Sequence, residues 1–284
     1  MKKTLIAMAA VAVAGVASAQ VSLTGTFNLD VDNKTSDSKA TVEAADVILS
    51  ASAAEDLGGG MSVNVNTTFQ TKNGRGGSVS NNGYSMAVSG GFGTVTYKNY
   101  LAGSAGLSAG ISAENDMNDA AGGYTARSRF EYALPTIAEG LSVAIRWDAS
   151  NADGAQGAIN STAFKTTKYA VGYSAGPISV STTGSNATGS KNDFTVAFDA
   201  GVAMVSAYNA TGVTEFAVTA PLGSLNVGMH MITGDNKATG LTASYALSKR
   251  TSLRYSYVNQ STVAADNAAG RSGANYRVRL GHSF

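Results

Sequence analysis

The chain has 284 residues, and its 20 basic and 19 acidic side chains leave a net charge near zero, which offers no basic surface for nucleic acid. It contains no cysteine, and its two histidines lack metal-ligand spacing, so we expect no disulfide framework, no metal and no cofactor. Glycine is abundant at 33 residues and proline scarce at 3, a composition that favours many strands joined by tight turns.

The first 19 residues have the pattern of a secretory signal peptide. Lys2 and Lys3 precede an apolar run over 5–16, and the small residues at 17–19 form a cleavage site before Gln20. The segment is too short and too rich in small residues for a membrane anchor. We therefore expect export across a bacterial inner membrane and a mature domain of residues 20–284, with 18 basic and 19 acidic side chains.

The mature chain alternates between apolar and polar residues almost from end to end. The first such segment, "VSLTGTFNLDV", places Val21, Leu23 and Phe27 on one face and Ser22 and Thr24 on the other. The same period recurs in "MSVNVNTTFQ", "LSVAIRWD" and "SLNVGMHMI". Each segment has about nine or ten residues, the length of a tilted transmembrane strand. Since no later apolar run reaches the roughly 20 residues of a spanning helix, we expect any membrane passage to be made by strands.

The connections between these segments alternate in character. Seven are short, at 56–60, 90–93, 134–140, 175–177, 200–201, 220–223 and 247–250. Eight are mostly longer and polar, at 32–40, 71–82, 100–123, 150–163, 184–191, 209–212, 233–238 and 259–272. This pattern predicts an all-β fold: an antiparallel up-and-down barrel of about 16 strands that crosses a membrane, with short turns at one rim and loops at the other.

The last segment, "ANYRVRLGHSF", has the pattern of a final strand in this sheet. Tyr276, Val278 and Leu280 fall on one face, and Arg277 and Arg279 on the other. A sheet of this size is difficult to keep open in solution, because its edges would pair with other chains. We therefore expect this strand to close the barrel against the first one, with its apolar face toward lipid and its arginines toward the lumen.

Several stretches together resemble the Gram-negative general porins of the proteobacterial type. They are "AQVSLTGTFNLDV", "EDLGGGMSVNVNTTFQ", "GGFGTVTYKNY", "YALSKRTSLRYSYV" and "YRVRLGHSF", and they cover essentially the whole mature chain. The resemblance implies a homotrimer of sixteen-stranded barrels in the outer membrane, in contact with lipid and lipopolysaccharide. It also implies a water-filled channel for passive diffusion of ions and small hydrophilic solutes, without enzymatic activity.

In such porins the third loop folds into the channel and faces basic residues on the wall. Here that loop is about 100–123, and the resemblance makes its three acids the constriction carboxylates: Glu114, Asp116 and Asp119. The candidate basic residues of the wall are Lys98, Arg127, Arg129 and Arg146. Alternation along the strand after the loop puts Arg127 and Arg129 on the lumen side with Glu131. Two other interpretations stay open: a pairing of these arginines with Glu131 that stabilises the barrel, and a solvated surface loop for the acids.

Other functions also stay open. A substrate-selective outer-membrane channel would share every feature above. An outer-membrane enzyme of the phospholipase type would need a serine, a histidine and an acidic or amide partner on the lipid-facing rim. His282 faces lipid by its position in the alternation, but we find no serine beside an activating base. A soluble β-rich adhesin would show polar outward faces rather than a continuous apolar band.

Overall fold

The computed structural model describes seven stretches of the chain: residues 20–33, 39–72, 79–102, 125–148, 166–234, 237–260 and 273–284. They contain sixteen strands: β1 (Gln20–Asn33), β2 (Thr41–Gly58), β3 (Met61–Lys72), β4 (Val79–Gly90), β5 (Gly93–Ala102), β6 (Thr125–Ala133), β7 (Leu141–Asp148), β8 (Thr167–Ala175), β9 (Ile178–Ser185), β10 (Asp193–Asp199), β11 (Met204–Ala210), β12 (Val213–Leu222), β13 (Leu225–Gly234), β14 (Ala238–Ala246), β15 (Thr251–Gln260) and β16 (Gly273–Ser283). No helix within these stretches is long and apolar enough to cross a membrane.

The strands form one closed antiparallel barrel. Each strand pairs with its neighbours in chain order, and β16 pairs with β1. The barrel confirms the all-β class, the count of sixteen strands and the closure predicted from the alternation. Closure also removes the two exposed edges that an open sheet would present.

The connections alternate between the two rims as the sequence predicts. Hairpins of a few residues follow the even-numbered strands from β2 to β14, and we call their side the short-turn rim. The turn between β2 and β3 shows how glycine permits such a hairpin. Gly58, Gly59 and Gly60 all have positive φ, between +61° and +77°, and Asp56 Oδ1 accepts a 2.8 Å hydrogen bond from the Gly58 amide. The odd-numbered strands from β1 to β15 end at the opposite rim.

The two faces of the barrel differ in polarity. Large apolar side chains alternate along the strands and remain exposed on the outer face; Val21 and Leu23 on β1 are 75% and 63% exposed. The intervening residues point to the interior, where Asp30 and Asp32 on the same strand are buried. An apolar band outside a closed sheet is stable in lipid, because every strand finds its hydrogen-bond partners within the sheet.

One polar pair interrupts the apolar outer face. Asn99 on β5 and Ser128 on β6 are cross-strand partners, and the Asn99 amide donates a 2.9 Å hydrogen bond to Ser128 Oγ. Beside them the rings of Tyr97 and Phe130 contact each other at a tilt of 53°, with centroids 5.1 Å apart. The pair is stable there because both polar groups are bonded and buried beside aromatic rings.

The seam between β1 and β16 is closed on its inner side by two acids and two arginines. Arg279 Nε and Nη2 donate to the two carboxylate oxygens of Asp30, both at 2.8 Å. Arg277 donates in the same way to Asp32 at 2.6 and 2.8 Å, and its Nε also lies 3.1 Å from Asp30 Oδ2. Both carboxylates are fully buried. We call these four residues the seam lattice; paired, bidentate geometry is the condition under which buried charges stabilise a structure.

On the outer side of the same seam, the aromatic ring of Phe284 packs over Gly25. The Gly25 amide and carbonyl exchange two 2.9 Å hydrogen bonds with the Phe284 backbone. The Phe284 ring then lies across Gly25 so closely that a Cβ on residue 25 would overlap it. Glycine is therefore required at this position by close approach rather than by backbone angle.

Breaking the seam lattice should cost more stability than breaking an ordinary surface ion pair. Replacing Asp32 by Ala leaves the buried Arg277 guanidinium without its closest carboxylate, and we expect the free energy of unfolding to fall by roughly 2–3 kcal/mol. Urea unfolding in detergent micelles measures the change. Glu139→Ala, in the exposed turn before β7, is the matched control and should be neutral. Equal stability of the two variants would contradict a stabilising role for the lattice.

The contact between Gly25 and Phe284 predicts a non-additive double mutant. Gly25→Ala should cost roughly 1–3 kcal/mol because the added methyl displaces the ring. In a Phe284→Ala background the same change should cost much less, because the ring is gone. Gly91→Ala is the control, since a Cβ at Gly91 meets open space. Additive losses of heat resistance on detergent gels would show that the ring does not occupy this position.

Candidate functional site

Basic side chains form a band across the inner wall on four consecutive strands. Lys98 on β5 is the cross-strand partner of Arg129 on β6, and Arg146 on β7 is the partner of Lys168 on β8. Glu131, two positions after Arg129, is the partner of Arg146 and joins the two pairs. We call Lys98, Arg129, Arg146 and Lys168 the basic wall.

Alternation along the strands directs these side chains inward. Phe130 and Tyr97 are in contact on the outer face, so Arg129 and Lys98, their neighbours along the chain, point to the lumen. Arg129 Nη2 lies 3.6 Å from Glu131 Oε2, and both side chains are partly exposed. An ion pair of this length in contact with water is weak. The pairing with Glu131 is therefore compatible with a charged wall and does not neutralise it.

The structure does not describe the side chains of the other site residues that were predicted from the sequence. Arg127 is in β6 opposite Tyr100, but its side chain is outside the described set. The three loop acids, Glu114, Asp116 and Asp119, fall between the described stretches 79–102 and 125–148. Residues 1–19, the predicted signal peptide, are likewise outside the described residues. The constriction formed by loop acids and wall arginines remains a prediction.

The two histidines lie on opposite faces of the barrel. His230 on β13 is buried on the inner face, where its ring packs against Gly240 on β14. His282 is on the outer side of β16, with Nδ1 2.9 Å from the Thr251 hydroxyl. Across the described stretches, no group of three His, Cys, Asp or Glu side chains could hold a metal ion.

Three features of the inner wall were not predicted from the sequence. Lys168 was not among the predicted wall residues, although it alternates with the outward Tyr169 and thus shares the inner face. Lys191 precedes β10 in a connection and carries no periodic signal. The pairing of Arg277 and Arg279 with Asp32 and Asp30 depends on the register between the first and last strands.

Solved structures with the same barrel include three outer-membrane proteins. The anion-selective porin of Comamonas acidovorans is 18% identical, with a TM-score of 0.63 over 94% of this chain and 100% of that one. OmpF of Salmonella typhi, in complex with daunomycin, is 13% identical with a TM-score of 0.69 over 94% and 98%. OmpT of Vibrio cholerae, in its trimer form, is 12% identical with a TM-score of 0.63 over 94% and 100%. At these identities the likeness shows the fold.

A comparison of this sequence with models of protein families shows the family to which the chain belongs. A model described as Gram-negative porin matches residues 5–283, nearly the whole chain. None of the curated proteins matches this sequence. The match agrees with the closed sixteen-stranded barrel, its apolar outer band and its charged inner wall. This chain therefore belongs to the Gram-negative porin family, and its barrel is an outer-membrane channel for the passive diffusion of small solutes.

Proposed function

We propose that this channel is a general diffusion pore whose ion preference is set by the basic wall. The observation that carries the proposal is the cross-strand register, which gathers Lys98, Arg129, Arg146 and Lys168 into one band on β5–β8. A solute that follows the lumen on this side passes four cations on neighbouring strands, with Glu131 between two of them. Field lines in a narrow aqueous passage between low-dielectric walls are focused, so these charges act strongly on permeating ions.

In this proposal the acidic side chains of the third loop supply negative charge opposite the basic wall. Glu114, Asp116 and Asp119 follow β5, the strand that carries Lys98, and precede β6, the strand that carries Arg129. Carboxylates opposite the basic wall would create a transverse field. Such a field orders water, orients dipolar solutes and disfavours apolar ones, which must displace that water. The field thereby favours small hydrophilic solutes over apolar ones.

Catalysis is the alternative from a different class, and we propose that it is absent. The only histidine on the outer face of the described strands is His282, whose ring nitrogen contacts the Thr251 hydroxyl. A hydrolase of the triad type needs a third group that orients the histidine. Within the described residues, no carboxylate forms a hydrogen bond or ion pair with this ring. A substrate-selective channel would admit one class of solute and exclude the others, whereas the proposed field admits small hydrophilic solutes in general.

We also propose a homotrimer embedded in lipid and lipopolysaccharide. Its contact surface would lie near the seam, where Val21, Leu23 and Phe27 are 75%, 63% and 40% exposed on the outer face. The trimer form of OmpT from Vibrio cholerae, which shares the fold, supports this assembly. The rest of the outer band would contact acyl chains.

Removing charge from the basic wall at Arg129, together with the predicted wall residue Arg127 on the same strand, should shift ion preference. Arg127→Gln with Arg129→Gln should raise the cation-to-anion permeability ratio roughly twofold per charge, because screening is weakest at the narrowest point. Neutralising Glu114, Asp116 and Asp119 should lower the ratio. Reversal potentials in planar bilayers across a salt gradient measure both changes. Lys249→Gln, exposed at the short-turn rim, is the control; if neither set of changes differs from it, the proposed field is wrong.

The trimer predicts that one position on the outer face is more sensitive than its equivalent across the barrel. Val21→Asn near the seam should reduce the trimer fraction in mild detergent. Val180→Asn should not, because β9 lies opposite β1 in the ring of sixteen strands and faces lipid. Crosslinking of the purified protein counts the species. Trimers that survive both changes, or monomers in the unchanged protein, would contradict the proposed contact.

A further inference from the structure

A cavity of about 380 Å³ opens from the inner wall beside the basic wall. It lies between β6 and β10 and toward the rim opposite the short turns. The side chains that define its chemistry are Arg146, Lys168, Ser185, Ser190, Lys191 and Asp193. Only Arg146 belongs to the residues that the sequence singled out.

The register explains why a depression forms at this place. Arg146, Lys168 and Ser185 are successive cross-strand partners on β7, β8 and β9, so they form one row. The adjacent inner row contains Ala144 and Ala170, which are partners of each other. Rows of inward residues are spaced by two positions, about 6.6–6.8 Å along a strand. The two alanine side chains are short and lie beside two long cationic side chains. The space that they leave empty is the cavity.

The far side of the cavity is held in place by the connection between β9 and β10. Ser185 Oγ donates a 2.8 Å hydrogen bond to Ser190 Oγ, and the Ser190 amide donates to the Ala187 carbonyl at 3.0 Å. Asn186 exchanges two hydrogen bonds with the Thr167 backbone on β8, at 2.8 and 3.0 Å. These bonds place Ser190 and Lys191 beside Lys168, so little ordering remains to be done when a solute binds.

The charges of this cavity favour an anion at its centre. Arg146 and Lys168 are direct cross-strand partners, an arrangement in which like charges repel and an anion between them is stabilised. Lys191 adds a third cation to the lining. The lining also contains two acids: Glu131 on β6 is the cross-strand partner of Arg146, and Asp193 Oδ2 accepts a 3.4 Å bond from the Thr183 hydroxyl. Three cations therefore outnumber two carboxylates in this cavity.

We propose that this cavity is a binding subsite for small solutes that carry a carboxylate or phosphate group. Arg146, Lys168 and Lys191 would contact the oxyanion. The Ser190 hydroxyl, which accepts from Ser185 and keeps its own proton, would donate to one of the remaining oxygens. The carboxylates of Glu131 and Asp193 in the lining disfavour large polyanions and suit solutes that also carry a positive group. The subsite deepens the proposed pore, since it rests on solutes reaching it through the lumen, and it gives that pore a saturable preference.

Saturable block of the purified channel tests the subsite. The KCl conductance in planar bilayers is measured while inorganic phosphate or succinate is added at constant ionic strength. We expect the conductance to fall along a saturating curve. Lys168→Gln and Lys191→Gln should each raise the half-saturating concentration about threefold to fivefold, as expected for the loss of one partly exposed charge contact.

Arg254→Gln is the matched control, since it removes a charge of the inner wall on β15, far from the cavity. It should leave the half-saturating concentration unchanged, and heat-modifiable migration on gels verifies that all three variants are folded. Saturation by either probe that both lysine variants weaken supports the subsite and shows which oxyanion it prefers. A linear response, or saturation that the lysine variants leave unchanged, overturns it. Reversal potentials in KCl test the proposed ion preference separately, so the two failures can be told apart.

Discussion

The structure depends on one requirement of backbone chemistry: in a hydrocarbon layer every amide and carbonyl must find its partner within the protein. A sheet meets that requirement only when it closes, and closure here joins β16 to β1, so that Asp30 and Arg279 meet although they are 249 positions apart. The entropy of closing so long a segment opposes this last pairing. The seam carries compensating contacts on both faces, with buried bidentate ion pairs inside and the Phe284 ring over Gly25 outside.

The inner wall follows from the same closure. Side chains that point into the barrel meet water and one another, and the register decides which charges become neighbours. At the seam the register pairs each arginine with an aspartate, so Arg277 and Arg279 stabilise the barrel. Across β5–β8 it places Lys98 opposite Arg129 and Arg146 opposite Lys168. Asp148 and Glu131 are the partners of Arg129 and Arg146 between β6 and β7, so this band contains both signs with basic residues in excess. In the proposed pore that excess acts on solutes, whereas the arginines of the seam stabilise the barrel.

Small residues have distinct roles on the two faces of the sheet. Outside, Gly25 gives a ring room to lie against the backbone, and Gly184 does the same beneath Tyr169, whose hydroxyl bonds Asn192 at 2.8 Å. Inside, Ala144 and Ala170 leave a depression beside Arg146 and Lys168. A barrel wall has a single layer of backbone, so the size of each side chain directly shapes either the lipid-facing surface or the lumen.

The amino-acid sequence by itself determined the class, the strands, the alternating rims and the face of each residue, because period-two alternation and turn chemistry are local properties. It put Arg277 and Arg279 inside for that reason. It could not pair them with Asp32 and Asp30, since sliding one strand past another by two residues keeps every side chain on its face but separates these partners. Only the tertiary structure decided the register between strands. That register created the seam lattice, and it also created the row from Arg146 through Lys168 to Ser185 with the cavity beside it.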